Sequence, residues 1–73
     1  YKINYYSNSK ELHVFTYENI HSISIFDMNG KLLNTLTFES LNEIKLPIEE
    51  KTKGMYIVSV TTENSNYNKL IHL

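Results

Sequence analysis

Ser22-Ile23-Ser24-Ile25-Phe26-Asp27-Met28-Asn29-Gly30-Lys31-Leu32-Leu33-Asn34-Thr35-Leu36 reads as two alternating apolar runs folded back on each other at Asp27–Gly30. Ile23 and Ile25 alternate with Ser22 and Ser24, the period of a strand with one buried face. Two turns compete. Asn29-Gly30 suits a two-residue type I′ loop, whereas Asp27 at the first position and Gly30 at the fourth suit a type I turn followed by a glycine bulge. The first sets Ile25 opposite Asn34 and the second sets it opposite Leu33. We favour the second, because it keeps two branched side chains together in the core.

Seventy-three residues predict a single domain, 1–73, whose small core leaves little stability to spare. Cysteine is absent, so neither disulfides nor thiolate chemistry are on offer. The charge is −1, with seven Lys, no Arg and eight acidic residues dispersed along the chain. No basic stripe exists to neutralise phosphates, so nucleic acid is not an expected partner. No apolar run approaches the ~20 residues of a transmembrane helix, and the first ten residues lack a signal-peptide layout. Export would therefore rely on a signal elsewhere in a longer protein. Nine Asn, six Tyr, many Ile and Thr, and no Ala or Gln describe a chain of strand and turn formers.

Outward from the hairpin, Ile3–Tyr6 and Glu11–Phe15 read as strands, and Tyr17-Glu18-Asn19 as a connection into a strand that ends at Phe26. Beyond the turn, Lys31–Phe38 is less regular, since Leu33 differs in parity from Leu36 and Phe38, which calls for a bulge or a change of sheet. Ser40-Leu41-Asn42 breaks the run before a brief strand at Ile44–Leu46, which Pro47 stops. Ile48 to Lys53 could hold one helical turn, with Glu near its start and Lys near its end. Gly54 opens a central strand with Tyr56, Val58 and Val60 on one face, and Tyr67–Leu73 closes the chain with its inner face unassigned. About seven short strands with turn signals between them predict an all-β fold, an immunoglobulin-like antiparallel β-sandwich. Its expected core is Leu12, Val14, Ile23, Ile25, Leu33, Ile44, Leu46, Tyr56, Val58 and Val60.

Chemistry is scarce. His13, His21 and His72 lie on separate strands without ligand spacing, so no metal site is expected. Glu49-Glu50 are adjacent, with nothing nearby to raise a carboxyl pKa, and a solvated face is the ordinary reading. The hydroxyl residues lack a base with its orienting acid, and Gly30 and Gly54 lack phosphate-cradling spacing. Neither an enzyme nor a cofactor is expected. Tyr5, Tyr6, Phe15, Tyr17, Phe26 and Tyr67 leave one alternative, a small ligand-binding or adhesive module that stacks exposed rings on carbohydrate.

Three blocks in order, Ile23-Ser24-Ile25-Phe26-Asp27-Met28-Asn29-Gly30-Lys31-Leu32-Leu33, then Lys53-Gly54-Met55-Tyr56-Ile57-Val58-Ser59-Val60, then Lys69-Leu70-Ile71, resemble the C-terminal sorting domain of proteins exported by the bacterial type IX secretion system. Members usually open with Tyr-Pro-Asn-Pro, where this chain has Tyr6-Ser7-Asn8-Ser9. The resemblance implies a non-catalytic handle on an N-terminal cargo domain that passes through the periplasm. The outer-membrane export machinery would recognise it, a sortase-like peptidase would remove it, and the cargo would be anchored at the cell surface or released. It assigns Asp27, Gly30 and Lys31 to the hairpin motif, Gly54 and Tyr56 to the second block, and Lys69, Leu70, Ile71, His72 and Leu73 to a terminal recognition strand. For the first five, a structural role in turn and packing competes with direct contact. Open edges in the first and last strands also admit a swapped homodimer.

Overall fold

Ile20, Ile23 and Ile25 are all buried, although the spacing from 20 to 23 breaks the alternation that Leu12, Val14 and Thr16 begin. The strand that carries them is therefore continuous but changes face. In a computed structural model that describes residues 1–48 and 53–73 it is β2, Glu11–Asp27. Around it lie β1 (Lys2–Tyr6), β3 (Leu32–Pro47), β4 (Met55–Thr62) and β5 (Asn66–His72), all antiparallel, with no helix among the described residues. The sheet order is β1-β2-β4-β5, with β3 on the other side of β2. β1 bonds the first half of β2 and β4 the second half, while β3 follows β2 almost throughout.

The all-β antiparallel class stands, but the expected seven segments are five strands in one curled sheet. Tyr17-Glu18-Asn19 and Ser40-Leu41-Asn42, expected as connections, are bends inside β2 and β3. Between the pairs Phe15↔Glu43 and Ile20↔Leu41, β2 carries four unpaired residues against one on β3. Between Ile20↔Leu41 and Ser22↔Thr37 the surplus passes to β3, where Ser40 takes φ +54°. Extra residues on alternate strands bend the ladder without ending it. The single surplus residue His21, between Ile20↔Thr62 and Ser22↔Thr61, turns the buried face over. The two halves of β2 thus present their apolar faces to one shared core.

That core joins Ile3, Leu12, Val14 and Ile44 from one half to Ile23, Ile25, Val58 and Val60 from the other. Ile20, Ile48, Tyr56 and Ile71 complete it, with Leu46 packed against it half-buried. Leu33 is the exception to the expected core: it is 37% exposed. The three-residue loop Met28–Gly30 does form, but the register inferred from it does not follow. Phe26 pairs with Leu32 and Ile25 with Asn34, so Leu33 is left over as a bulge and Ile25 does not face it. Burial of Ile3, Ile20, Ile48 and Ile71 lay beyond the expected list. The helical turn expected over Ile48–Lys53, and the Glu49-Glu50 pair, rest on residues 49–52, outside the described residues.

Truncating Ile25 to Ala should cost about 2–5 kcal/mol, whereas Leu33→Ala should stay within about 0.5 kcal/mol. Against a total of roughly 4–11 kcal/mol for a chain of this length, urea unfolding separates the two readily. Equal losses at both sites would restore Leu33 to the core.

Candidate functional site: the motif turn and the terminal strand

Asp27 organises the hairpin turn with one oxygen. Its Oδ1 accepts from the backbone N–H of Asn29 and of Lys31, each at 2.9 Å. The Gly30 N–H donates to Asp27 O at 3.1 Å, and the Asp27 N–H to Lys31 O at 3.0 Å. Gly30 sits at φ +85°, in the left-handed region that a type I turn plus glycine bulge demands. Asp27, Gly30 and Lys31 are thus bound to one another through the backbone, and the Lys31 side chain is exposed.

Gly54 and Leu73 exchange two backbone hydrogen bonds, Leu73 N–H to Gly54 O at 2.9 Å and Gly54 N–H to Leu73 O at 3.2 Å. The last residue is therefore tied to the start of β4, one step beyond the pair Met55↔His72. Gly54 holds φ +151°, and a Cβ added there would meet nothing within 4 Å. Its requirement is conformational and not steric crowding. Next to it, Tyr56 pairs with Ile71, and the two side chains are 8% and 5% exposed. Gly54 and Tyr56 thereby fix both the end and the inner face of β5.

The clamp also decides which way the β5 backbone points. In an antiparallel ladder, residues alternate between exchanging both hydrogen bonds with the partner and exchanging none. Since Gly54 and Leu73 exchange both and the β4–β5 register runs without a shift, the N–H and C=O of Leu73, Ile71 and Lys69 face β4. Those of His72, Leu70 and Asn68 face outward. Among the described residues no strand is hydrogen-bonded to that edge. Side-chain contacts join β1 to β5: Lys69 Nζ donates to Asn4 Oδ1 at 3.3 Å, and the rings of Tyr1 and Tyr67 stack at 4.1 Å. Of the five residues expected to recognise a partner, Ile71 is committed to the core, Leu73 is half-buried, and Lys69, Leu70 and His72 are exposed.

A clasp at the other end of β4 escaped the sequence reading. Glu18, in the β2 bend, accepts from Thr62 Oγ1 through Oε1 and from Asn64 Nδ2 through Oε2, both at 2.8 Å. It ties the bend to the β4–β5 turn, across 44 and 46 residues of chain, a separation at which no sequence signal links such groups. The Asn64 hydrogen bond, followed by that from Thr62, holds the Glu18 carboxyl below its ordinary range.

Elsewhere, the outer faces of β1, β2 and β3 form an open depression of about 290 Å³ beside Asn4, Tyr6, His13 and Lys45. His13 Nε2 lies 3.2 Å from Glu11 Oε1 and its ring leans on Tyr6, so its contacts are local. Among the described residues, no three of His, Asp or Glu gather where a metal ion could be held. The rings singled out in the sequence do not make one platform. Tyr67 stacks on Tyr1 at the β5 edge, while Phe15 meets Tyr17 edge-on, at 78°, along β2.

The five-stranded sheet thus combines a motif turn, a glycine clamp and a tethered last strand. The chain matches the family model of the secretion system C-terminal sorting domain over residues 6–72, and it belongs to that family. It is a C-terminal sorting signal of type IX secretion: it is recognised by that machinery and directs export through the outer membrane to the cell surface or the medium. Domains of this family are in general non-catalytic. No curated protein and no solved structure matches the chain.

Two outcomes test this geometry. Gly54→Ala should cost about 1–3 kcal/mol, because an L-residue resists that φ, and should speed hydrogen exchange at the Leu73 amide; unchanged exchange there would dissolve the clamp. For Glu18, a lowered folded pKa means that its stabilisation is complete above the unfolded value, near 4.5, and is lost as pH falls through the folded value. Thermal melts of the native chain should therefore weaken below about pH 4.5 more steeply than those of Glu18→Gln; matching acid limbs would remove the clasp.

Proposed function

We propose that the export machinery reads this chain through the outer edge of β5, over Lys69–Leu73, and that the 73 residues act as one non-catalytic module. The observation that carries this is the orientation of the β5 backbone. Asn68, Leu70 and His72 turn their N–H and C=O groups to an edge that no strand among the described residues pairs, on a strand whose inner face and last residue are fixed by Ile71, Tyr56 and Gly54. Such an edge accepts an added strand, with main-chain hydrogen bonds supplying affinity. The remaining motif residues act through the fold, since Asp27 and Gly30 spend their polar groups on the turn. By family likeness, a sortase-like peptidase then separates the module from its cargo.

In a host with the machinery, a reporter carrying this chain should lose export when Lys69–Leu73 is deleted. That deletion also removes Ile71 from the core, so His72→Pro is the sharper probe. It deletes one outward N–H and spares the bonds to β4, as proline on an edge strand does. Export should fall while the melting temperature holds. Normal export of both variants would remove β5 from recognition.

A further inference from the structure

The outer face of β3-β2-β4-β5 is built in cross-strand rows. Two are wholly polar and uncharged: Thr35, Ser24, Ser59 and Asn68 form one, and Thr37, Ser22, Thr61 and Asn66 the next. They are laced by hydrogen bonds such as Ser24 to Thr35 at 3.1 Å and Asn66 Nδ2 to Thr61 Oγ1 at 2.8 Å. The row beside them is wholly apolar. Leu32 pairs with Phe26, Phe26 with Ile57, and Ile57 with Leu70, so four strands contribute one apolar side chain each to a single line. Its ends are open, with Leu32 52% and Leu70 48% exposed. Each of the three sequence blocks supplies at least one member of that line.

From this juxtaposition we propose that the apolar row is the second half of the recognition surface. Its occupant is a β-sheet protein of the export apparatus that pairs an acidic edge strand with β5 and covers the row with apolar side chains. The proposal rests on the reading of the β5 edge given above and extends it three strands inward. Continuity supports it, because the row runs into Leu70, whose backbone faces the open edge. Size supports a dedicated partner over a second copy. Three strand spacings of about 4.8 Å make a line about 14 Å long and one side chain wide, short of the ~800 Å² per partner of a stable interface, so a second copy held by the row alone would not be stable and the row must act together with the paired edge. Charge points the same way. β1 and β5, the strands beside the open edge, carry Lys2 and Lys69 and no acidic residue. A second copy would set like charges together, whereas an acidic strand complements them.

Leu32 separates the row from the edge, since it lies three strands from β5 and exposes half its side chain. A reporter carrying the chain with Leu32→Ser should be exported about fivefold less, the size that covering half a leucine supplies, with an unchanged melting temperature and with export regained in Leu32→Met. His72→Pro tests the edge alone. Loss in both variants supports the proposal. Loss with His72→Pro but not with Leu32→Ser overturns it and leaves the edge reading intact. Loss with Leu32→Ser alone overturns the strand-pairing partner, and loss in neither defeats both readings. Sedimentation of the purified chain adds one arm: a dimer abolished by Leu32→Ser would make a second copy the occupant and overturn the partner proposed here.

Discussion

The surplus residues along β2 are the constraint on which everything else rests. A regular strand buries one face only, and a chain of this size cannot fill two separate cores. By changing face at His21 after bending over Thr16–Asn19, β2 serves both halves of the sheet, and β3 follows it because its own surplus at 38–40 restores the ladder. Continuous strands replace two loops that would each have carried unpaired backbone groups. Glu18 then fastens the bend to the β4–β5 turn, where Thr62 is buried with its hydroxyl satisfied.

Much of this was legible locally. The alternation of Ile23 and Ile25, the Asp27–Gly30 turn and the face shared by Tyr56, Val58 and Val60 depend on neighbours two to four residues away, and sequence displays such relations directly. What stayed hidden was counted across strands. Tyr17-Glu18-Asn19 has the composition of a loop, and only the facing segment of β3 shows that it is a bend. Leu33 illustrates the same limit: its turn was read correctly, but a bulge one step beyond the loop cancelled the register that the turn implied. Ile20 fell at an expected strand boundary, so its parity had no meaning until the face change was known. Of the last strand, sequence marked the segment but not its geometry, because the direction of a backbone N–H follows from the Gly54–Leu73 pair at the far end of the ladder.

An unpaired strand edge is ordinarily a hazard, since any extended chain can add to it. Among the described residues no strand covers this edge, and its outer face is mostly polar. Above and below Leu70, the outer face offers Asn68, Asn66 and His72, polar groups that give an indiscriminate apolar strand little to bind. Lys69, the kind of residue that commonly blunts an edge, points to the inner side and reaches across to Asn4. Along the outer face the edge combines backbone groups with one apolar side chain, Leu70, set between polar ones.

The placement of the two positive-φ glycines shows how presentation is kept separate from folding. Gly30 lets the hairpin turn close under Asp27, two strands away from β5, whereas Gly54 acts on β5 itself and sets the strand by its end. If the end were free, the antiparallel alternation would still hold in the middle of the strand, but fraying would spread inward from Leu73 and blur which groups face out. Two reciprocal hydrogen bonds at the last pair oppose that fraying where a strand is weakest. The clamp also imposes order: with the register fixed, Leu70 and His72 are held at set positions along the edge. A partner that pairs by backbone hydrogen bonds needs those fixed positions, since a slip of one residue would exchange Leu70 for the buried Ile71 and present the wrong face.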